Sequence, residues 1–177
     1  MSATWVALLR GINVGHAKRI AMADLRSSFI SLGSTNVRTH GQSGNVIFES
    51  SERQAASLEQ AISAAIRADF GMEVAVLVRS ARDFVTVIDA NPFVARGIAT
   101  SELHVAFLSA EPAASKIASV DQSALLPDEF AFGTRAVYVR LPNGVMGATL
   151  PDWDKVLGVR ATQRNWNTAT KLRDLVS

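Results

Sequence analysis

Apolar runs and helical repeats alternate along this chain. Residues 4–9 are apolar on both alternating faces, the pattern of a strand buried on two sides. Met22, Leu25, Phe29 and Leu32 then recur at helical spacing, and Gly33 stands where a helix would end. Residues 36–39 and 46–48 read as short strands joined by a glycine-bearing turn. Ser51 with Gln54 has the spacing of a capping box, and the helix behind it would bury Leu58, Ile62, Ala65 and Ile66 before Gly71. Residues 74–78 are another almost wholly apolar strand.

Residues 4–78 therefore follow the order β-α-β-β-α-β, the ferredoxin-like order. In that arrangement the first and third strands are central, adjacent and antiparallel. The end of the first strand must then meet the start of the third. This brings the loop at residues 10–15 beside the turn at residues 42–45, although about thirty positions separate them in sequence.

Ser80 with Asp83 forms a second capping-box pattern, opening a helix that ends at Asn91-Pro92. Residues 95–101 connect to a restart. A strand at 103–108 is followed by a helix at about 112–118 and a hairpin of strands 129–132 and 136–141. A short helix then begins near Pro151-Asp152-Trp153, and a last helix runs to the C-terminus. In that last helix, Trp166, Ala169, Leu172, Leu175 and Val176 fall on one side at about 100° per residue. Arg164, Asn167 and Lys171 group on its edge, with Thr168 at the margin. The expected class is α+β, with two ferredoxin-like βαββαβ-type halves packed together through internal duplication, over residues 1–94 and 102–177. A half of this kind covers only one sheet face with its own helices, so strands apolar on both faces imply a second covering layer.

Composition narrows the chemistry. The 177 residues include 48% hydrophobic and 19% charged side chains, with a formal net charge of +2. No run of basic residues marks a nucleic-acid track. There are no cysteines, so disulfides, thiolate nucleophiles and thiolate-held metals are excluded. The first apolar run lacks a basic leader, and Arg10 ends it early. A cytoplasmic protein without a membrane span is expected.

Three polar clusters interrupt the apolar pattern. They are Arg10-Gly11-Ile12-Asn13-Val14-Gly15 with Lys18, then Gln42-Ser43-Gly44-Asn45, then Arg164-Asn165-Trp166-Asn167-Thr168 with Lys171. With the residues around them, they resemble the family called domain of unknown function 1697. The matching runs extend from Ala7 to Gly15, through Met22, Leu25-Arg26, Leu32-Gly33 and Gln42-Ser43-Gly44-Asn45-Val46. They end with Leu157-Gly158-Val159, Thr162 and the Arg164–Thr168 cluster. The resemblance spans nearly the whole chain in order. It implies two ferredoxin-like α/β halves and carries no established activity. His16, His40-Gly41 and Ala148-Thr149-Leu150 depart from the usual pattern of that family.

The clusters favour binding of a polar ligand. Exposed N–H groups in a glycine loop beside Arg10 and Lys18 suit a phosphate or carboxylate. The Walker pattern fails, because the glycine-to-lysine spacing is wrong and no Ser or Thr follows Lys18. Amides of Asn13, Gln42, Asn45, Asn165 and Asn167 can each donate and accept, as neutral polar edges require. Ser43 with His40 lacks an orienting third group for nucleophilic catalysis, and His16, His40 and His104 lack metal-ligand spacing.

The expected function is therefore binding of a small anionic or nucleotide-like ligand. The pocket would be formed by Arg10, Asn13, Gly15, Lys18, Gln42, Ser43 and Asn45 with Arg164, Asn165, Asn167, Thr168 and Lys171. No cofactor or metal is expected. Two alternatives use the same surface. One is an enzyme on a phosphorylated or carboxylate substrate, stabilising charge through Arg10 and Arg164. The other is a nucleic-acid module that uses the surface as a phosphate track; Trp5 and Phe48, on the strands where an RRM would stack bases, are expected in the core instead.

Overall fold

The computed structural model describes residues 1–15 and 19–177. The chain divides into two compact units, residues 1–85 with 172–177, and residues 86–171. Each contains one four-stranded antiparallel sheet, and together with the helices they make an α+β protein.

In the first unit, β1 (Ala3–Leu9), α1 (Met22–Ser31), β2 (Thr35–His40), β3 (Asn45–Ser50), α2 (Ala55–Phe70) and β4 (Val76–Ser80) follow in order. The strands lie β2-β3-β1-β4. The apolar run of β1 takes the centre because it is the strand buried on both faces. Trp5, Ala7 and Leu9 join Phe29, Phe48, Ile62 and Ile66 in the core against the helices. Val6, Leu8, Ile47 and Leu77, on the opposite face, are buried as well.

The second helix starts later than its capping-box pattern suggests. Its N-cap is Gln54, without a side-chain bond. Glu52 Oε1 instead accepts from the Arg53 and Gln54 amides at 2.6 and 2.8 Å. A local carboxylate has replaced the hydroxyl of Ser51. Ser80 behaves as its pattern predicts. Its Oγ accepts from the Asp83 amide at 3.1 Å and opens α3 (Ala81–Asp89). At the far end of the chain, Arg38 Nη2 donates to the Leu175 carbonyl at 3.1 Å, tying the last turn to β2.

The second unit holds the short α4 (Pro92–Ala95), then β5 (Leu103–Leu108), α5 (Ala114–Ala118), β6 (Glu129–Gly133), β7 (Ala136–Arg140), α6 (Trp153–Leu157) and β8 (Ala161–Asn165). The strands lie β6-β7-β5-β8. One face packs Ala106, Leu108, Val137 and Val139 against Trp153 and Leu157. Trp153 meets Phe130 and Phe132 edge-on, with ring centroids 5.5 and 6.2 Å away. The helix α7 (Trp166–Val176) follows β8 directly.

The strand β8 corrects the sequence reading, which gave Arg164 and Asn165 to the final helix. Arg164 lies opposite Val105 and Asn165 opposite His104, both in the sheet. Asn165 is the last strand residue. Its Oδ1 accepts from the Thr168 amide at 2.8 Å and so caps α7. The helical edge that grouped Arg164 with Asn167 and Lys171 therefore does not exist, because the backbone turns from extended to helical between them.

The two sheets share more than strand order. Arg79 is the fourth residue of β4 and lies opposite Val6; Arg164 is the fourth residue of β8 and lies opposite Val105. The next residue, Ser80 or Asn165, caps the helix that follows. Leu9 donates its amide to the Gly44 carbonyl, as Leu108 does to that of Arg135, both at 2.9 Å. The second helix of each sheet ends on a left-handed glycine, Gly71 or Gly158. This correspondence is invisible in sequence because most matched side chains differ, while the hydrogen-bond register is the same.

Candidate functional site

The first two polar clusters meet as the strand adjacency requires. Leu8 lies opposite Asn45, so the chain leaving β1 runs onto the turn between β2 and β3. Gly44 sits at the closest approach. A Cβ there would stand 2.6 Å from Leu9 Cβ and 2.8 Å from Ile12 Cδ1, and its φ is +74°. Only glycine suits both the close contact and the left-handed backbone.

Asn13 joins the loop to the turn. It occupies the left-handed region at φ 56°, a conformation that asparagine tolerates better than most residues. Its Nδ2 donates to the Ile20 carbonyl at 2.9 Å and to the Gln42 carbonyl at 2.7 Å. Its Oδ1 accepts from the Ile20 amide at 2.9 Å. Both amide hydrogens and one lone pair are thereby used, and Asn13 acts as a brace. Ile12 and Ile20, on either side, are buried. Asn45 is buried too and donates its Nδ2 to the His40 carbonyl at 3.0 Å, stiffening the turn from inside.

A cavity of about 550 Å³ opens beside this brace, lined by Asn13, Arg19, Ile20, Ala21 and Gln42. Arg19 Nη2 donates to the Gly15 carbonyl at 3.3 Å, closing the loop on itself. Ala21 precedes the first turn of α1 and supplies no side-chain cap. Arg10, Gly15, Gln42 and Ser43 are exposed, and of these Gln42 lines the cavity. Lys18 and His16 lie outside the described residues.

The third cluster is in the other unit. Burial pushes the Arg164 guanidinium down to about 10, still well above neutrality. Its Nη1 donates to the Gln163 carbonyl at 2.9 Å. Asn165 is taken up by the helix cap, and Trp166 is buried. Asn167 and Lys171 are exposed, and Thr168 is half-buried.

Trp5 and Phe48 belong to the helix-side core, 6% and 0% exposed. They take the core positions expected of them and offer no surface for base stacking. No group of three His, Asp or Glu among the described residues could hold a metal ion. No helix among them is long and apolar enough to cross a membrane.

Arg19, Ile20 and Ala21 complete the cavity and were missed from sequence. Arg19 neighbours the loop cluster, but only the Asn13–Ile20 bonds fold it back onto Gln42.

These features define an α+β protein of two antiparallel sheets, with a braced polar loop at the end of the first central strand. The chain belongs to the protein family of unknown function DUF1697, whose profile matches residues 2–138. The conserved bacterial protein SP0830 from Streptococcus pneumoniae has a similar structure. It aligns with a TM-score of 0.78 over 100% of both chains at 20% identity, a likeness of fold. No curated protein matches the chain.

Proposed function

We propose that the loop after β1 and the turn after β2 bind a small anionic or nucleotide-like ligand in the cavity beside Asn13. One comparison within the chain carries this reading. The β1–α1 connection spans residues 10–21, whereas the corresponding β5–α5 connection spans only residues 109–113. In that shorter loop the Arg135 amide donates to Glu111 Oε2 at 2.8 Å, and Arg135 Nη2 donates to the Ser109 carbonyl at 3.3 Å. A short connection thus suffices to close a sheet of this order. The longer one contributes Asn13, Arg19, Ile20 and Ala21 to a cavity and carries Arg10 and Arg19 instead of a carboxylate. A connection longer than its fold needs is where binding residues concentrate.

Arg19 would meet the anionic group. The Gln42 side chain would take a neutral polar edge of the ligand. Arg10 would add long-range attraction from the rim. Asn13 and Gly44 hold the two walls in place.

We also infer that the two sheets are ferredoxin-like halves derived by duplication. Their common strand order, register and cap positions support this. On that reading Arg79 and Arg164 are matched framework residues, and the binding loop is an elaboration of the first half alone. A cytoplasmic location accords with the absence of cysteine.

The test is calorimetric titration of the whole chain with inorganic phosphate, mononucleotides and sugar phosphates, against Arg19→Ala. Binding by at least one of these, weakened about tenfold or more in the variant, is the expected result. If no compound binds, or if Arg19→Ala binds as well as the parent, the proposal fails. Turnover of a bound compound would make the protein an enzyme.

A further inference from the structure

A second concavity lies on the same unit, at the outer edge of its sheet. It measures about 450 Å³ and is lined by Asn36, Val37, Arg38 and Glu49. The register between β2 and β3 shifts between Thr35 and Arg38, so an extra residue bulges from the edge strand. Asn36 sits in this bulge at φ 50°. Bulges of this kind re-aim side chains and are over-represented beside functional sites.

The consequence is visible in the pairing. Past the bulge, Arg38 lies directly opposite Ile47. Glu49 is two residues further along β3, so its side chain leaves the sheet on the same face as Ile47 and Arg38. A cation and an anion therefore share one concavity. Glu49 is half-buried in mid-sheet, between Thr4 and Thr35 on the adjacent strands. Among the described residues its carboxylate has no hydrogen-bond or ion-pair partner. Arg38 gives one N–H to the Leu175 carbonyl, and its fork keeps further donors.

We propose that this concavity binds the zwitterionic head of an α-amino acid. Its ammonium group would sit on Glu49 and its carboxylate on Arg38. A partly desolvated carboxylate gains most from a partner that is both charged and a hydrogen-bond donor, which an ammonium group is. The guanidinium fork suits a carboxylate in the same way. A metal ion is disfavoured, because among the described residues Glu49 is the one carboxylate lining the space and the Arg38 cation stands beside it. This site is independent of the cavity beside Asn13.

The experiment is amide chemical-shift titration of the whole chain with a panel of α-amino acids, with ethylamine and acetate as single-charge controls. Glu49→Gln keeps the side-chain shape and removes the charge. The expected result is saturable shifts at residues 36–38 and 47–49 for at least one amino acid. Each single-charge control should bind about tenfold or more weakly, and so should the amino acid to Glu49→Gln. Arg19→Ala should bind the amino acid as the parent does, which separates this site from the anion site. The proposal is overturned if no amino acid shifts those amides, if ethylamine or acetate binds as tightly, or if Glu49→Gln binds unchanged while its spectrum shows the native fold.

Discussion

Asn13 is the residue on which the loop geometry depends, and its contribution follows from its bonds. Asn13→Ala removes three hydrogen bonds, at 2.9, 2.7 and 2.9 Å. Each is worth about 0.5–1.5 kcal/mol net. The Gln42 carbonyl lies in an exposed turn and regains water, so its loss counts for little. Ile20 is only 3% exposed, so its amide and carbonyl are poorly rehydrated and their two bonds count in full. This gives about 1–3 kcal/mol. Alanine in the left-handed region adds about 1 kcal/mol, for a total of about 2–4 kcal/mol. Asn13→Gly loses the same bonds without the backbone strain and should be about 1 kcal/mol more stable than the alanine variant. Urea unfolding midpoints of the three proteins give the ranking, and amide hydrogen exchange at Ile20 locates it. An alanine variant within about 0.5 kcal/mol of the parent, with the Ile20 amide equally protected, would refute the brace.

Gly44→Ala should destabilise by about 2–4 kcal/mol, from overpacking against Leu9 and Ile12 together with left-handed strain. Thermal melts check this, and a variant melting with the parent contradicts it. Burial lowers the His104 pKa below its ordinary value. The unfolded chain then binds a proton before the folded chain does. This contribution to stability is complete above about pH 6.5 and declines as pH falls below it. Urea midpoints from pH 7.5 to 5 should fall less steeply in His104→Gln; identical slopes would remove His104 from the account.

Much of the frame was legible from side-chain pattern alone. The run at residues 4–9 read as a central strand because it is apolar on both alternating faces, and the run at 103–108 read as a strand. Once the order β-α-β-β-α-β was read, the meeting of residues 10–15 with residues 42–45 followed from topology. Ser80 capped its helix as its spacing implied, because a cap is a local interaction over three residues. Ser51 did not, because Glu52 competed for the same amides one residue later.

What the sequence determined by itself, then, was most of the strands and helices, and which loops of the first sheet the strand order must bring together. Both rest on periodicity and short-range bonding, which are written along the chain. Tertiary structure alone decided which hydrogen bonds the polar residues make there. The amides of Asn13, Asn45 and Asn165 read equally well as ligand contacts or as struts. Their partners, Ile20 and Gln42, His40, and Thr168, made them struts. The strand β8 was hidden because Thr162, Gln163, Arg164 and Asn165 show no apolar alternation, and only pairing with β5 extends them. Arg38 and Glu49 carried no sequence signal at all. A one-residue bulge, which exists only when two strands are paired, put them on one face.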